Sequence, residues 1–598
     1  MKTLASRHSR ITCCAAATIV LIIIAPSFAA GNFHLSVGKA FTSQLDLEAF
    51  RLVAVQDQGR IKTFDSLARE KLKYLNSRLV GRVDPAVLYL DMLLTPEYYA
   101  GVGFIHIKNK LLAQRLVQGV RSLIMARDRQ GVIADQELKA IQRGGFVSLS
   151  FLDHPAVRSV LSELERDLRR SGKAVRELRS ARHLADSHTL RAMLTVVPPP
   201  GGAPLDSWYN LDAAISGQGR LPRDHSHAGM GDSAVPGLDS VVAVRLSTSW
   251  ATLAEAWRFQ RADEASAALN ELARTLADIE PGLYPQSSRL NLELWYYKHN
   301  KLTAGWLLYF FALPVLLIAF VYGDLWARWV GLGFFGVAFT VHTLSLIIRW
   351  WLAGRIPNAN LFEAIIASAW FGCVCAIVLE LAFRNKRLRY LPALCGSAYA
   401  MLAMMFGNFM TVTLNSDITT VMPVLDRTIW LYIHTNVIIA SYALVAFAAF
   451  TSTGYLIGRF LAKVMPERFG ADWKVTAIAR GGASSVILNR GHGKESSMAR
   501  TLDGATMIFL EVAFVSLWVG TILGAVWADV SWGRPWGWDP KEVFALNTWL
   551  VFLVLLHLRM KVRDKGLWTA VLAVIGFAVM VFNWVAVNLV IVGLHSYA

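Results

Sequence analysis

Charge is scarce in this chain, and acid is scarcer than base. Only 17% of the 598 residues are charged, against roughly 25% in ordinary soluble domains. The shortage is uneven. Residues 31–300 carry charges, Pro-Gly loops and helical patches like any soluble protein, whereas residues 304–598 are dominated by apolar runs of membrane-spanning length. Base exceeds acid by 60 to 43, a formal charge of +17. That excess does not point to nucleic acid, because between the apolar runs the basic residues cluster in alternate connections, the mark of cytoplasmic loops. Cysteine is also rare. The five present are too few and too scattered for a disulfide framework, and the lack of any Cys-x-x-Cys pair excludes a thioredoxin-like redox centre and a covalent c-type haem site on this chain. Cys13 and Cys14 fall in an N-terminal apolar segment, and Cys373, Cys375 and Cys395 in or beside later apolar runs, where they read as small apolar fillers.

The opening stretch, MKTLASRHSRITCCAAATIVLIIIAPSFAA, has a basic start, an apolar middle and a small-residue end with Ser27 and Ala29. It reads as a signal peptide or a retained anchor over 1–30, and either exports the residues after it. Residues 31–303 then form a mainly helical exported domain. FRLVAVQDQGRIKTFDSLAREKLKYL predicts a short strand and turn, then an amphipathic helix from near Asp65. Further helical patterns cover 110–126, 156–182 and about 246–278, and the breaker-rich VVPPPGGAPLDSWYN interrupts them. His225 and His227, two apart in a Gly-rich loop, lack the clustered partners of a metal site.

From 304 onward the sequence predicts eight spans, at about 304–322, 329–349, 362–383, 392–413, 428–458, 505–527, 543–560 and 567–592. The fold class expected is an all-α polytopic membrane bundle of about eight transmembrane helices behind the exported domain. The basic stretches RNKRLR (384–389) and RMKVRDK (559–565), and the net basic 459–504 connection, all fall on one side if every span crosses. The connections 350–361, 414–427 and 528–542 are poor in Lys and Arg and fall on the other, with the C-terminus.

That topology locates four histidines. His434 begins the fifth span and His595 comes after the eighth, both near the outer face, while His557 ends the seventh near the cytoplasmic face and His342 lies in the outer half of the second. An intramembrane histidine either bonds a neighbouring helix or marks function. The outer pair flanks WGRPWGWDPKE (532–542), with three tryptophans, two glycines and an Asp-Pro-Lys-Glu tail. Tryptophan at a membrane surface can be an interfacial belt. A belt does not need glycines between its rings, however, whereas a platform for a flat apolar ligand uses glycine for close backbone approach and tryptophan for area. Asp539 and Pro540 also suit the cap and first turn of the seventh span.

WGRPWGWDPKEVFALNTWLVFLVLLHLRMK resembles the WWD signature of haem-handling membrane proteins, and is most similar to the CcsA (ResC) subunits of System II cytochrome c synthases. RWWLAGRIPNANLFEAI, WLYIHTNVIIASYA and the terminal GLHSYA extend the likeness, in the family's order, over most of 304–598. The resemblance implies a role in cytochrome c biogenesis. Haem b crosses the membrane and is held on its outer face for thioether attachment to the Cys-x-x-Cys-His motif of an apocytochrome c. It implies His434 and His595 as outer axial ligands, Trp532, Gly533, Trp536, Gly537, Trp538 and Asp539 as the haem platform, and His557 as a ligand at an inner site. No side chain here takes a catalytic role beyond positioning haem. The partners implied are haem, apocytochrome c, the lipid bilayer and a CcsB (ResB)-like membrane subunit, together a holocytochrome c synthase in the bacterial cytoplasmic membrane. That subunit is the favoured source of the second inner ligand. His342 is the in-chain alternative, but the depths of His342 and His557 differ by roughly 15 Å at about 1.5 Å per helical residue. A WWD-type haem exporter or chaperone without ligation activity is the alternative function, and a non-haem transporter a further one.

Overall fold

The computed structural model describes residues 33–79, 82–126, 135–167, 171–216, 235–299, 301–382, 388–410, 414–420, 428–467, 498–587 and 591. His595, the N-terminal apolar segment, the His225–His227 pair and most of the basic 384–389 and 459–504 stretches lie outside the described residues. The chain forms two compact units. The first takes residues up to 39 with 73–84 and 90–187, and the second takes 40–72, 85–89 and 188–598.

In the first unit, helices Lys110–Ala126, Asp135–Gly144, Pro155–Arg166 and Gly172–Leu184 accompany a short antiparallel pairing of Ile105–His106 with Phe146–Val147. The helical pattern expected over 156–182 is two helices, because the chain turns at Asp167, whose carbonyl accepts from Ser171 N and Gly172 N. Asp91, fully buried, is satisfied by Ser36 N at 2.8 Å and the Tyr99 hydroxyl at 2.5 Å.

The second unit contains an antiparallel hairpin, β1 (Ala54–Asp57) and β2 (Arg60–Thr63). Gln58 and Gly59, both at positive φ (52° and 77°), make its two-residue turn, which suits the right-handed twist of the strands. Helix Phe64–Asn76 comes directly after it, as its amphipathic pattern predicts. The block expected over 246–278 is two helices, Ser240–Arg258 and Ala262–Asp278, broken where Gln260 turns left-handed (φ 54°). Charge is buried under the hairpin. Lys62, 1% exposed, reaches Glu70 at 2.5 Å and Asp57 at 3.0 Å, and Lys71 reaches Asp57 at 2.8 Å. Burial alone would raise the Asp57 carboxyl, but Lys62 and Lys71 outweigh it and hold the group below its usual range.

Eight helices are long and apolar enough to cross a membrane: α1 (Leu302–Tyr322), α2 (Leu325–Ala353), α3 (Leu361–Ala382), α4 (Leu391–Phe409), α5 (Ile429–Val464), α6 (Met498–Trp532), α7 (Pro540–Lys561) and α8 (Lys565–Val587). The chain is thus a multi-pass membrane protein, and all eight expected spans are present. Helices α5 and α6 run longer than their apolar stretches, at 36 and 35 residues, or about 54 Å each at 1.5 Å per residue. They pack along one another. Thr451 and Thr506 hydrogen-bond at 2.7 Å, and Leu502 lies beside Gly454. Elsewhere small and hydroxyl residues join helices, as expected without water between them. Ser368 of α3 donates to the Ile439 carbonyl of α5 at 2.8 Å and bonds the Tyr399 hydroxyl of α4 at 2.6 Å.

Successive spans alternate in direction. The connections α2–α3, α4–α5 and α6–α7 therefore share the end of the bundle at which α1 begins, here the proximal end.

Candidate functional site

At the proximal end, α2 stops at Gly354 (φ 67°), whose N–H bonds the Trp350 carbonyl at 2.9 Å, a left-handed C-terminal cap that glycine adopts without penalty. The chain then folds over a buried carboxylate. Glu363, 1% exposed, takes Arg349 at 2.7 Å, Arg355 at 2.8 Å and the Ala359 N–H at 2.7 Å. Both arginines reach on to backbone: Arg349 to the carbonyls of Ser416 (2.9 Å) and Asp417 (3.0 Å), and Arg355 to that of Thr419 (2.6 Å). One carboxylate and two guanidinium groups thereby tie the α2–α3 connection to the 414–420 segment. Asn360 caps α3, its Oδ1 accepting from Glu363 N at 2.9 Å.

The α6–α7 connection is held by its own cap. Helix α6 ends at Trp532, and Gly533 (φ 69°) turns the chain, its N–H on the Asp529 carbonyl at 2.8 Å. Asp539 then caps α7 in a reciprocal capping box with Glu542, with Pro540 at the first helical position. The Glu542 carboxylate bonds both Gly537 N (2.9 Å) and Asp539 N (3.2 Å). Between them Trp538 is held at positive φ (55°), 74% exposed.

These two connections and the proximal ends of α5, α6 and α8 enclose a cavity of about 200 Å³. His434 of α5, half-buried, is in its wall. The imidazole Nδ1 lies 2.7 Å from the Gly520 carbonyl of α6 and must donate to it, which makes Nε2 the lone-pair nitrogen. The ring lies parallel to that of Trp527, within 3°, at 6.5 Å between centroids. A Cβ at Gly524 would sit 2.6 Å from the imidazole Cε1, so glycine there makes room for the ring. Trp536, Leu431 and Ile438 supply apolar wall, and Asn358, Asn360, Lys541 and Asn583 supply polar atoms. Asn583 and Trp584 sit in the π-helical turn Phe582–Val587 that ends α8.

Of the residues singled out from sequence, His434 and Trp536 line this cavity together. Trp532 packs edge-on against Trp527, with centroids 4.8 Å apart, and so stands behind the wall. Trp538 lies edge-on to Trp536 at 6.0 Å. Gly533, Gly537 and Asp539 shape the loop. His557 belongs to the other end of the bundle, where its exposed ring bonds its own helix at the Leu553 carbonyl, 2.8 Å away. His342 is fully buried, with Nε2 3.1 Å from the Ile366 carbonyl and Nδ1 3.4 Å from the Tyr309 hydroxyl. Both its nitrogens serve helix packing. Sequence reasoning missed Trp527, Asn360, Asn583, Trp584 and Lys541. Asn360 carried a signal, since Asn-x-x-Glu before an apolar run is a capping pattern. Asn583 carried none, because a lone asparagine at a span's end is uninformative until the helix is rotated into place.

Residues 358–595 match the family model described as cytochrome C assembly protein. The chain is 33% identical over 259 residues to the cytochrome c biogenesis protein CcsA of Prochlorococcus marinus (strain NATL2A), covering 43% of this chain and 80% of that protein. It belongs to this family. The CcsA protein of Synechococcus sp. (strain CC9902) is 31% identical over 267 residues, 44% of this chain and 84% of its own length. That of Chlamydomonas reinhardtii is 30% identical over 264 residues, 44% and 66% respectively. The family-model match contains the cavity's α3, α5, α6, α7 and α8 walls.

Proposed function

We propose that this chain acts in cytochrome c biogenesis, receiving haem b in the proximal cavity and presenting it to an apocytochrome c. The observation that carries the reading is His434. Its Nδ1 is committed to a backbone carbonyl, the outer-shell bond that typically orients a metal-ligating imidazole and makes it more basic. A haem needs such an axial nitrogen, an apolar enclosure and polar atoms for its carboxylates. Leu431, Ile438, Trp536, Lys541 and the asparagines supply the rest of that set. His595 is the second axial ligand in this reading, Trp536 and Trp538 with Gly533, Gly537 and Asp539 form the platform, and Trp532 backs it through Trp527.

The chemistry is addition of an apocytochrome thiol across a haem vinyl group. An S–H bond and the vinyl C=C π bond are consumed, one C–S and one C–H bond form, and nothing leaves. The nucleophile comes from the substrate, so this chain contributes orientation. The proximal end faces the outside of the bacterial cytoplasmic membrane, in accord with Arg559, Lys561, Arg563 and Lys565 at the opposite end. An inner haem site uses His557 with a histidine from a CcsB-like membrane subunit. Its exposed ring supports a ligand from outside the chain, as does the engagement of both His342 nitrogens in helix packing.

The test is a haem spectrum of the purified chain, wild type and His434→Ala, then co-expression with a CcsB-like subunit and an apocytochrome. Bound haem that is lost in the variant, with covalent product only from the wild type, is the expected result. Absence of a haem signal after loading overturns the reading. Bound haem without covalent product, given competent partner and substrate, makes the chain a carrier instead.

A further inference from the structure

The cavity wall holds polar atoms that none of the described residues uses. Asn583 is 2% exposed, yet among the described residues its Oδ1 has no hydrogen-bond partner, and the same holds for Nδ2 of Asn360 and Oδ1 of Asn358. Buried amide atoms left unpaired are rare in native proteins, because each costs its full desolvation. Asn360 is the most informative. Its Oδ1 is committed to capping α3 through Glu363 N, so the amide cannot rotate to hide its donor. Among the described residues the Asn583 side chain hydrogen-bonds only the Tyr442 hydroxyl, its Nδ2 donating at 3.4 Å, and turning its amide would exchange acceptor for donor at the cavity. Lys541 adds a cation and makes no ion pair among the described residues. The nearest carboxylates, Asp539 and Glu542, are both bonded to backbone N–H groups of the capping box. Lys541 and the Asn360 amide are a cation and a donor without acceptors, a pair that suits an anionic oxygen ligand, whereas the orphaned atoms of Asn358 and Asn583 are oxygens as they stand.

We propose that Lys541 and Asn360, with Asn583 turned to donate, bind the carboxylates of the cargo, and that the cavity thereby selects a tetrapyrrole carrying free propionates over one whose propionates are masked. This rests on the proposed haem function, and its test separates the two. The full-length chain in detergent is titrated with haem and with haem dimethyl ester, which keeps the iron, ring and vinyl groups but lacks the charges. The wild type is expected to bind haem at least about tenfold more tightly than the ester, the ratio for one charge-assisted hydrogen bond. Lys541→Met and Asn360→Ser are expected to abolish that preference while binding the ester as well as the wild type does. Serine keeps a capping oxygen and removes the amide donor without adding charge. Lys541→Arg is expected to retain the preference. Equal wild-type affinity for haem and ester overturns the carboxylate site and leaves the haem reading standing, and a preference that survives both substitutions overturns it as well. Failure of the wild type to bind either compound overturns both readings.

Discussion

At the scale of single residues, the site depends on what is small as much as on what is reactive. Gly524→Ala places a methyl group 2.6 Å from His434 Cε1, closer than the imidazole can tolerate without leaving the Gly520 carbonyl. The substitution is expected to lower haem retention about as much as His434→Ala, read by absorbance of the purified protein, while the bundle still inserts and folds. Trp538 offers a sharper separation of fold from function. Its left-handed backbone is a strained one for a side-chain-bearing residue, at a cost of about 1–3 kcal/mol, and its ring is 74% exposed. Trp538→Gly should therefore leave the melting temperature unchanged or raised. Any loss of bound haem in that variant then reports ring contact, and full retention would remove Trp538 from the platform.

At the scale of elements, the proximal loops are held by carboxylates at helix starts. Glu363 caps a network of two buried arginines, so Glu363→Gln leaves Arg349, 3% exposed, without its counter-charge. Removing one partner of a buried pair typically costs about 3–5 kcal/mol. We expect a large fall in thermal stability and faster proteolysis within 414–420, the segment both arginines hold. Asp539→Ala should be milder, about 0.5–2 kcal/mol for a lost helix cap, measured by unfolding in detergent. These elements were readable to different depths. The eight apolar runs, the Asp539-Pro540 helix start and the helix after Arg60-Ile61-Lys62-Thr63 are set by hydrophobic period and capping chemistry, which are local. The breaks at Asp167 and Gln260, and the extension of α5 and α6 beyond their apolar cores, were not readable. A turn there satisfies carbonyls chosen by packing, and a polar helix end persists only because another helix lies against it.

At the scale of the whole molecule, the β1–β2 hairpin and the transmembrane helices belong to one compact unit. Arg60 of the hairpin pairs with Glu293 at 2.6 Å and reaches the Ile418 carbonyl at 3.3 Å, and Gly59 lies against Thr420. The hairpin's own charges make this unit acid-sensitive. The folded pKa of Asp57 is depressed by Lys62 and Lys71, so its stabilisation is fully present above the unfolded value near 3.9 and is lost as pH falls through the lower folded value. Below about pH 4, stability of the wild type should fall more steeply than that of Asp57→Asn, tracked by melting temperature against pH. Equal slopes would show that the lysine pairs contribute nothing.

Sequence alone determined that this is a membrane bundle of eight spans, that its Trp-rich loop and His434 share one end, and that it resembles the CcsA proteins. Those conclusions rest on hydrophobic run length, charge placement and residue order, which are properties of the chain taken locally. Only the tertiary structure decided which tryptophans face the cavity and which stand behind it, that His342 is consumed by packing, and that amide atoms without partners among the described residues line the same cavity as Lys541. Each of those depends on how a helix is rotated about its axis and what lies across from it, and apolar runs without strong amphipathicity carry no record of rotation.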